Sequence, residues 1–151
     1  MKLLIFSDSH GKTAPMFSAV EREKPDAVLH LGDHVRDAEA LKTRFPSLPV
    51  YNVRGNCDPG ADAPEQLEIT LGGVPVFLCH GHRYNVKYGT EKLLNAGWFS
   101  GAKLVLFGHT HRALLQEYEE LTLLNPGSAA SSAARVELTG DGRFTAEIVE
   151  I

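Results

Sequence analysis

The sequence predicts an α/β fold in which two mixed β-sheets pack face to face, with helices on their outer faces. In the first third of the chain, short apolar strands alternate with helical segments, a pattern typical of parallel strands joined by helical crossovers. Further along, alternating strands and hairpin turns are typical of antiparallel pairs. A chain of 151 residues can bury a core without disulfides or structural metals, so we expect one domain over residues 1–151.

Three strands and two helices are predicted in the first third of the chain. Each strand is a largely apolar run, as expected for a strand that is covered on both faces. Thr13 and Pro25 mark the ends of the first helix, because threonine can cap a helix N-terminus and proline cannot continue a helix. The predicted strands are residues 3–6, 27–31 and 50–53, and the predicted helices are residues 13–24 and 37–45.

The rest of the chain supplies the remaining strands. Residues 67–71 alternate apolar and polar side chains, and Gly72-Gly73 then predicts a two-residue hairpin turn. A helix is predicted around residues 88–98. The tail is expected to form antiparallel strands, with Gly140-Asp141-Gly142 as the turn between the last two. The predicted strands here are residues 67–71, 74–79, 104–107, 113–118, 121–124, 134–138 and 144–151.

Composition and charge argue against several classes of protein. The net charge of −4 disfavours sequence-independent binding of long nucleic acid, because such binding needs a basic surface. No apolar run approaches the ~20 residues that span a bilayer, and the run at residues 3–6 is too short for a secretory signal. The two cysteines, Cys57 and Cys79, form no disulfide framework, which favours a reducing cytoplasm.

All seven histidines lie in four short segments, each at or just after a predicted strand. The same strand ends carry Asp8, Asp33, Asn56 and Asp58. Because the ends of neighbouring strands converge on one edge of a sheet, where ligands bind in open α/β folds, we expect these side chains to meet. The histidines are His10, His30, His34, His80, His82, His109 and His111.

These residue types indicate a metal site. Carboxylate, imidazole and amide groups together suit manganese, iron, cobalt, nickel or zinc, whereas a structural zinc site would be richer in cysteine. The candidates are too many for one tetrahedral ion, but they suit two ions that share a carboxylate and lie ~3.5–4 Å apart. Two divalent ions would keep the site electropositive within an acidic protein, which suits a phosphate ester.

The ordered motifs resemble those of the calcineurin-like metallophosphoesterases. The family pattern runs Asp-x-His, Gly-Asp, Gly-Asn-His-Asp/Glu, Gly-His or His-Gly, and Gly-His-x-His. The resemblance covers residue 3 to about residue 128, and it implies the family's four-layer αββα sandwich. The matching segments are Asp8-Ser9-His10, Gly32-Asp33, Gly55-Asn56-Cys57-Asp58, His80-Gly81-His82, Gly108-His109-Thr110-His111 and the closing turn Asn125-Pro126-Gly127-Ser128.

This resemblance implies two divalent metal ions, with manganese favoured and nickel, cobalt, iron or zinc as alternatives. A hydroxide between the ions is the expected nucleophile, because metal coordination lowers the pKa of water from 15.7 toward ~7. Asp33, Asn56 and His82 are the candidate catalytic residues, and His82 either touches the phosphate or supports a ligand. The implied ligands are Asp8, His10 and His111 for the first ion, Asn56, His80 and His109 for the second, and Asp33 as the bridge.

Cys57 departs from the family pattern, which has a histidine at this position. A thiol with a pKa near 8.5 is neutral and a weak donor, so a factor of ~10²–10⁴ would be lost if acid catalysis were limiting. The YfcE-like small phosphodiesterases share the Gly-Asn-Cys-Asp form, and their resemblance implies diester hydrolysis with weak monoesterase activity. We interpret Cys57 as a packed loop thiol rather than a nucleophile, and Cys79 as a core residue.

The leading hypothesis is a phosphoesterase that acts on a small phosphodiester. The alternatives are a protein-interaction scaffold like the retromer subunit that shares this fold, a phosphomonoesterase and a nuclease. A candidate at all seven ligand positions argues against the scaffold. Homo-oligomerisation stays open, and Trp98 and Phe99 are expected in the core or in a subunit contact. Asp58 either forms a turn or supports a ligand, and His30 is expected to be a hydrogen-bonded core histidine or a donor to a ligand.

Overall fold

Ten strands and three α-helices follow one another in the predicted order in the computed structural model, which describes all 151 residues. Their bounds are β1 (Lys2–Phe6), α1 (Ala14–Glu23), β2 (Ala27–His30), α2 (Val35–Arg44), β3 (Val50–Asn52), β4 (Gln66–Leu71), β5 (Val74–Cys79), a 3₁₀ turn (His82–Tyr84), α3 (Glu91–Ser100), β6 (Leu104–Leu106), β7 (Leu114–Glu117), β8 (Thr122–Asn125), β9 (Ser132–Leu138) and β10 (Phe144–Glu150).

The strands form two five-stranded mixed sheets, which confirms the predicted fold class. In the first sheet, β1, β2 and β3 run parallel as predicted, and the β9–β10 hairpin adds antiparallel to the other side of β1. In the second sheet, β5, β6 and β8 are parallel, and β4 and β7 are antiparallel edge strands.

The tail forms antiparallel pairs as predicted, β7 with β8 and β9 with β10, but the two pairs lie in different sheets and not in one run. β8 pairs parallel with β6, and only β7 lies antiparallel to it. The next two strands, β9 and β10, leave this sheet and cover the free edge of β1 in the other one. Alternating apolar and polar side chains and turn residues identify a strand, but they do not specify the strand with which it pairs. That partner depends on which sheet edges the other strands leave unpaired.

The apolar core lies in three layers, because side chains alternate along each strand. Leu3 and Ile5 point between the two sheets, whereas Leu4 and Phe6 point outward. Residues of α1 and α2 cover that outer face, and residues of α3 cover the outer face of the second sheet. Each fully buried side chain of this size contributes roughly 1.5–3 kcal/mol. Both sheets are therefore covered on both faces, as in the four-layer αββα sandwich that the resemblance implies.

The first two helices begin differently from the prediction. Thr13 precedes α1, but its side chain makes no capping hydrogen bond, and Pro15 instead fixes the backbone of the first turn. α2 begins at Val35 rather than at residue 37. The reason lies elsewhere in the chain: Asp58 Oδ1 accepts hydrogen bonds of 2.9 Å from the backbone N–H groups of both His34 and Val35.

α3 begins at Glu91 rather than near residue 88 and leaves two aromatic residues at the surface. Trp98 is 58% exposed and Phe99 is 88% exposed, so the expectation that they belong to the core is wrong. A subunit contact at these residues stays a prediction. None of the helices has the length and the apolar composition that crossing a membrane requires.

Candidate metal centre

The ends of four strands meet at one edge of the two sheets and bring six of the seven predicted ligands together. The Asp8 N–H donates to Gly32 O at 3.1 Å, which joins the segments after β1 and β2. The Gly108 N–H donates to His80 O at 2.8 Å, which joins the segments after β5 and β6. The candidates that meet here are Asp8, His10, Asp33, His80, His109 and His111.

The carboxylate of Asp8 lies at the centre of this cluster. Its Oδ1 atom is buried and accepts no hydrogen bond, although the Nε2 atoms of His111, His80 and His10 lie 3.3, 3.7 and 4.0 Å away. Ligand atoms of Asp8, His10, Asp33 and His111 all lie within 4.8 Å of one another. A buried carboxylate oxygen without a donor is costly, and carboxylates ringed by imidazoles suit a borderline divalent cation. The residues present therefore fit a metal ion.

Asp33 links the imidazoles to the segment that follows β3. Its Oδ1 accepts a hydrogen bond from the Cys57 N–H at 2.9 Å, and its Oδ2 lies 3.3 Å from His80 Nε2 and 3.6 Å from His10 Nε2. Burial raises the pKa of Asp33, but the hydrogen bonds from His80 and Cys57 outweigh burial and hold the pKa well below its ordinary value. Asp33 is therefore an anion at neutral pH. Its role as the bridge between two ions stays a prediction.

The orientation of the His80 ring is fixed by a backbone contact. Its Nδ1 lies 2.8 Å from Leu31 O, and because a carbonyl only accepts, Nδ1 carries the proton. The other nitrogen, Nε2, faces the carboxylates of Asp33 and Asp8 and lies 3.2 Å from His109 Nδ1. Burial lowers the pKa of His80, but the two carboxylates outweigh burial and raise it. The contact with Leu31 O directs Nε2 at the carboxylates, where a bound divalent cation would take the place of the Nε2 proton.

Two predicted site residues lie at the margin of the cluster. Asn56 is exposed, and its side-chain amide contacts Cys57 Sγ at 3.6 Å rather than any other candidate ligand. The centroid of the His82 ring lies 5.6 Å from that of His80 and 6.2 Å from that of His109. His82 Nδ1 is buried without a hydrogen-bond partner, and burial together with His80 lowers the pKa of this imidazole. The catalytic roles of Asn56 and His82 stay predictions.

The backbone is strained where the candidate ligands lie. Only eight non-glycine residues have a positive φ, and six of them belong to this cluster or adjoin it. Such conformations cost of order 1–3 kcal/mol each and persist only where the surrounding structure holds them. Their concentration here indicates a functional site. The six residues are Asp8, His10, Asp33, His34, His109 and His111.

Two motif glycines let the loops approach each other closely. A Cβ atom at Gly108 would overlap Ser7 Oγ, and a Cβ atom at Gly55 would overlap Asp33 Oδ1. The hydroxyl of Ser7 in turn donates to Asp8 Oδ2 at 2.7 Å. Glycine is therefore required at both positions for the strand ends to pack against the carboxylates.

A buried network that the sequence interpretation missed holds the loop between Asp8 and His10. The Ser9 hydroxyl donates to Asp37 Oδ2 at 2.6 Å, and the same oxygen accepts the Gly11 N–H at 2.7 Å. Ser9 Oγ also lies 2.9 Å from Nε2 of His30. Asp37 was predicted only as the first residue of a helix, and no periodicity distinguishes a buried aspartate from an exposed one there. The network ties β1, β2 and α2 together beneath the candidate ligands.

Removing the Asp37 carboxylate should loosen this loop. We expect Asp37→Ala to weaken metal binding by roughly tenfold and to lower the free energy of unfolding by about 2 kcal/mol, since two hydrogen bonds to a charged acceptor are lost. Asp37→Asn should bind metal within a few-fold of the native chain, because one carbonyl oxygen can accept both bonds. Calorimetric titration with Mn²⁺ measures the affinities, and Glu39→Ala, an exposed position on the same helix, is the matched control. Equal affinities for Asp37→Ala and Glu39→Ala would contradict this role.

His30 confirms the expectation of a hydrogen-bonded core histidine. Its Nδ1 accepts the Gly32 N–H at 3.3 Å, so the proton lies on Nε2, which donates to Ser9 Oγ. His30 is completely buried, and burial lowers the pKa of its imidazole to about 4 despite the opposing charge of Asp37.

This low pKa predicts that acid destabilises the fold through His30. An unfolded histidine titrates near ~6.5, so the unfolded state binds the extra proton as the pH falls from there toward 4. The folded state should lose up to about 3 kcal/mol over that interval from this residue. NMR titration of the imidazole should show no protonation of His30 above about pH 5, and His30→Gln should lose less stability than the native chain over the same interval. Titration of His30 near 6.5 would contradict the assignment.

Asp58 anchors the loop after β3 and does not contact His82. Its Oδ2 accepts the Gly55 N–H at 2.8 Å, while its Oδ1 accepts from the start of α2 as described above. The prediction that Asp58 forms a turn is therefore confirmed. Its carboxylate also joins the loop after β3 to the start of α2.

The two cysteines differ in their surroundings. Cys79 is buried in the core as expected, and burial raises its pKa to about 12. Cys57 is exposed, so its interpretation as a packed thiol is wrong. Partial desolvation of the sulfur and the negative charge of Asp33 raise the pKa of the Cys57 thiol, which is therefore neutral at pH 7 and unsuited to attack as a thiolate.

Comparison with known proteins shows which family this chain resembles. Residues 1–141 match the model of the calcineurin-like phosphoesterase superfamily domain. The chain is 34% identical over 134 residues to the probable metallophosphoesterase YsnB of Bacillus subtilis, an alignment that covers 85% of this chain and 75% of YsnB. It is 24% identical over 157 residues to the phosphodiesterase MJ0936 of Methanocaldococcus jannaschii, which covers 93% and 91% of the two chains.

Solved structures show the same fold. A Streptococcus pneumoniae protein described as a predicted phosphoesterase superposes with a TM-score of 0.78 at 26% identity and covers 99% of this chain and 97% of its own. Vps29 of Entamoeba histolytica superposes with a TM-score of 0.78 at 21% identity and covers 99% of both chains, which is a likeness of fold alone. On the match of residues 1–141 and the identity to YsnB, this chain belongs to the calcineurin-like phosphoesterase superfamily.

Proposed function

We propose that this protein is a metal-dependent phosphodiesterase that hydrolyses a small phosphodiester, with manganese as the favoured metal. The observation that supports this most directly is the buried, unpaired Asp8 Oδ1 with three imidazole Nε2 atoms within 4.0 Å of it. Such a site suits a cation, and a phosphate ester is the substrate that the family membership favours.

Two cations would share the cluster, in the arrangement that the family resemblance implies. Bound there, divalent cations supply a nucleophile by lowering the pKa of water, and they neutralise charge on the phosphoryl oxygens. The protein holds two of the ligands in the state that metal binding requires. Asp33 is ionised, and the His80 ring is oriented by its hydrogen bond to Leu31 O. The proposed ligands are Asp8, His10 and His111 for one ion, Asn56, His80 and His109 for the other, and Asp33 between them.

His82 and Cys57 bear on the choice between diesters and monoesters. The His82 ring lies beside those of His80 and His109, and we assign this imidazole to contact with a phosphate oxygen. Cys57 carries a neutral thiol where the family pattern has a histidine, and a weak donor disfavours esters with poor leaving groups. A relative that is named a phosphodiesterase supports the same choice. A small diester is also compatible with the acidic net charge of −4, which disfavours long nucleic acid.

A substrate panel on protein loaded with manganese, nickel or cobalt tests this proposal. We expect bis(4-nitrophenyl) phosphate to be hydrolysed faster than 4-nitrophenyl phosphate, with activity lost when a chelator is added. Equal rates for the two esters would contradict the diester preference. If the protein binds metal but hydrolyses neither ester with any of the three ions, the phosphodiesterase proposal fails and a protein-interaction scaffold of the same fold becomes the better hypothesis.

A further inference from the structure

A cavity of about 540 Å³ lies beside the loop that carries His109 and His111. It opens between the segment before α3, this loop and the start of β7. The volume falls within the range of ≈ 300–1,000 Å³ that is usual for small-molecule sites. Neither the sequence motifs nor the proposed metal ligands account for it.

The floor of this cavity is apolar. Val86 is 5% exposed and Phe107 is 1% exposed, and both belong to the cluster that packs between α3 and the second sheet. Leu114 of β7 packs against the same cluster. A ligand group that is placed here would therefore rest on aliphatic and aromatic carbon.

The rim of the cavity is cationic. Lys87 and Arg112 are both exposed, and neither forms an ion pair, whereas six of the eight arginines do. No carboxylate lines the cavity. Two unpaired cations over an apolar floor, in a chain with a net charge of −4, favour an anionic ligand with an apolar body.

The cavity adjoins the loop that carries two candidate ligands of the metal centre. Thr110 lines it and lies between His109 and His111 in the chain. Its Oγ1 is held in place, since it accepts hydrogen bonds from Asn125 Nδ2 at 3.0 Å and from the Arg112 N–H at 3.2 Å.

We propose that this cavity binds one ester arm of the substrate, and that this arm carries an apolar or aromatic body and a further negative charge. The inference rests on the proposed function, because the phosphorus would lie at the metal centre and the arm would reach past Thr110. Val86, Phe107 and Leu114 would contact the body of the arm. Lys87 and Arg112 would pair with its charge.

Two matched diesters test the proposal. In 4-nitrophenyl phenyl phosphate and 4-nitrophenyl 4-carboxyphenyl phosphate, the leaving group is the same and only one arm carries a carboxylate. With manganese-loaded native protein, we expect KM for the carboxylate diester to be lower by about three- to tenfold, the effect of two partly screened ion pairs. The ratio should fall toward one in the double variant Lys87→Ala/Arg112→Ala and in high salt. A ratio near one in the native protein would overturn the proposal.

A variant with the same loss of charge provides the control. Lys92→Ala/Lys103→Ala removes two exposed cations that do not line the cavity, and it should keep the native ratio. A ratio that falls equally in both double variants would show a general charge effect and would also overturn the proposal.

A binding measurement separates this proposal from the phosphodiesterase itself. 4-Carboxyphenyl phenyl phosphate and diphenyl phosphate have poor leaving groups, so their affinities can be measured by NMR even if the protein hydrolyses no diester. We expect the carboxylate probe to bind more tightly and to shift the backbone amide signals of Thr110 and Leu114, with both effects lost in Lys87→Ala/Arg112→Ala. Equal affinity of the two probes would contradict the cavity assignment, whatever the outcome for catalysis.

Discussion

Replacing Asp33 with asparagine is expected to weaken metal binding by more than about a hundredfold and to abolish phosphoesterase activity with it. Asp33 lies closer to His10 and His80 than Asp8 does, at 3.6 and 3.3 Å, and it is held ionised by hydrogen bonds from His80 and Cys57. Loss of a hydrogen-bonded group behind a metal ligand already costs 10–100-fold in affinity, so loss of the shared anion should cost more. Asparagine keeps the size of the side chain and removes only the charge and one acceptor.

Calorimetric titration with Mn²⁺ and turnover of bis(4-nitrophenyl) phosphate measure the two effects. Asp62→Asn, the same substitution at an exposed position in the loop after β3, is the matched control and should behave as the native chain. Unfolding in denaturant should show that Asp33→Asn is folded. If the variant is folded and binds metal with native affinity, Asp33 is not a ligand, and the proposed arrangement of two ions around it is wrong.

The fold was predictable from the sequence because central strands such as β1, β2 and β6 are buried on both faces. An apolar run such as Leu3 to Phe6 has no polar face to present to water, so helices and a second sheet must cover it. Parallel strands then bring their carboxyl ends to one edge, which is why Asp8 and Asp33 could be expected to meet. The pairing of β8 with β6 and of β9 with β1 was not predictable, since it depends on edges left open by other strands.

The side chains that meet in the candidate metal centre were predictable from the sequence, but the residues that hold them in place were not. Histidines and aspartates at strand ends could be recognised, but the network through Ser9, His30 and Asp37 could not. Each of these residues has an ordinary role when considered locally: a loop serine, a strand histidine and a helix aspartate. Only their common burial makes them a network, and that burial depends on how β1, β2 and α2 pack together, which no local pattern specifies.

The side-chain orientation of Asn56 was also not predictable from the sequence. Its motif predicts a ligand, yet the side chain is exposed and contacts Cys57 Sγ. A surface amide can adopt several rotamers, and nothing in the local sequence selects the one that faces the imidazoles. Backbone contacts, by contrast, are specified by neighbouring residues: the Cys57 N–H is held by Asp33, so the loop itself is already in place beside the cluster.

Replacing Cys57 with histidine is expected to raise phosphomonoester turnover by up to ~10²–10⁴, the usual contribution of a general acid. The hydrogen bond from the Cys57 N–H to Asp33 Oδ1 holds residue 57 at the margin of the cluster, and the exposed side chain leaves room for a ring. The native thiol is a weak donor whose pKa is raised by partial desolvation and by the negative charge of Asp33. An imidazolium at this position would donate a proton to a poor leaving group.

The size of the gain should depend on the leaving group. Phenyl phosphate needs its leaving oxygen protonated, whereas 4-nitrophenolate leaves readily, so the gain should be large for the first ester and small for bis(4-nitrophenyl) phosphate. Cys57→Asn is the matched control, because it supplies a hydrogen-bond donor that does not titrate. A new limb in the pH–rate profile near ~6.5 should accompany the gain only in Cys57→His. An unchanged ratio of monoester to diester turnover would mean that the missing acid does not set the substrate preference, and that the preference comes from the shape of the site.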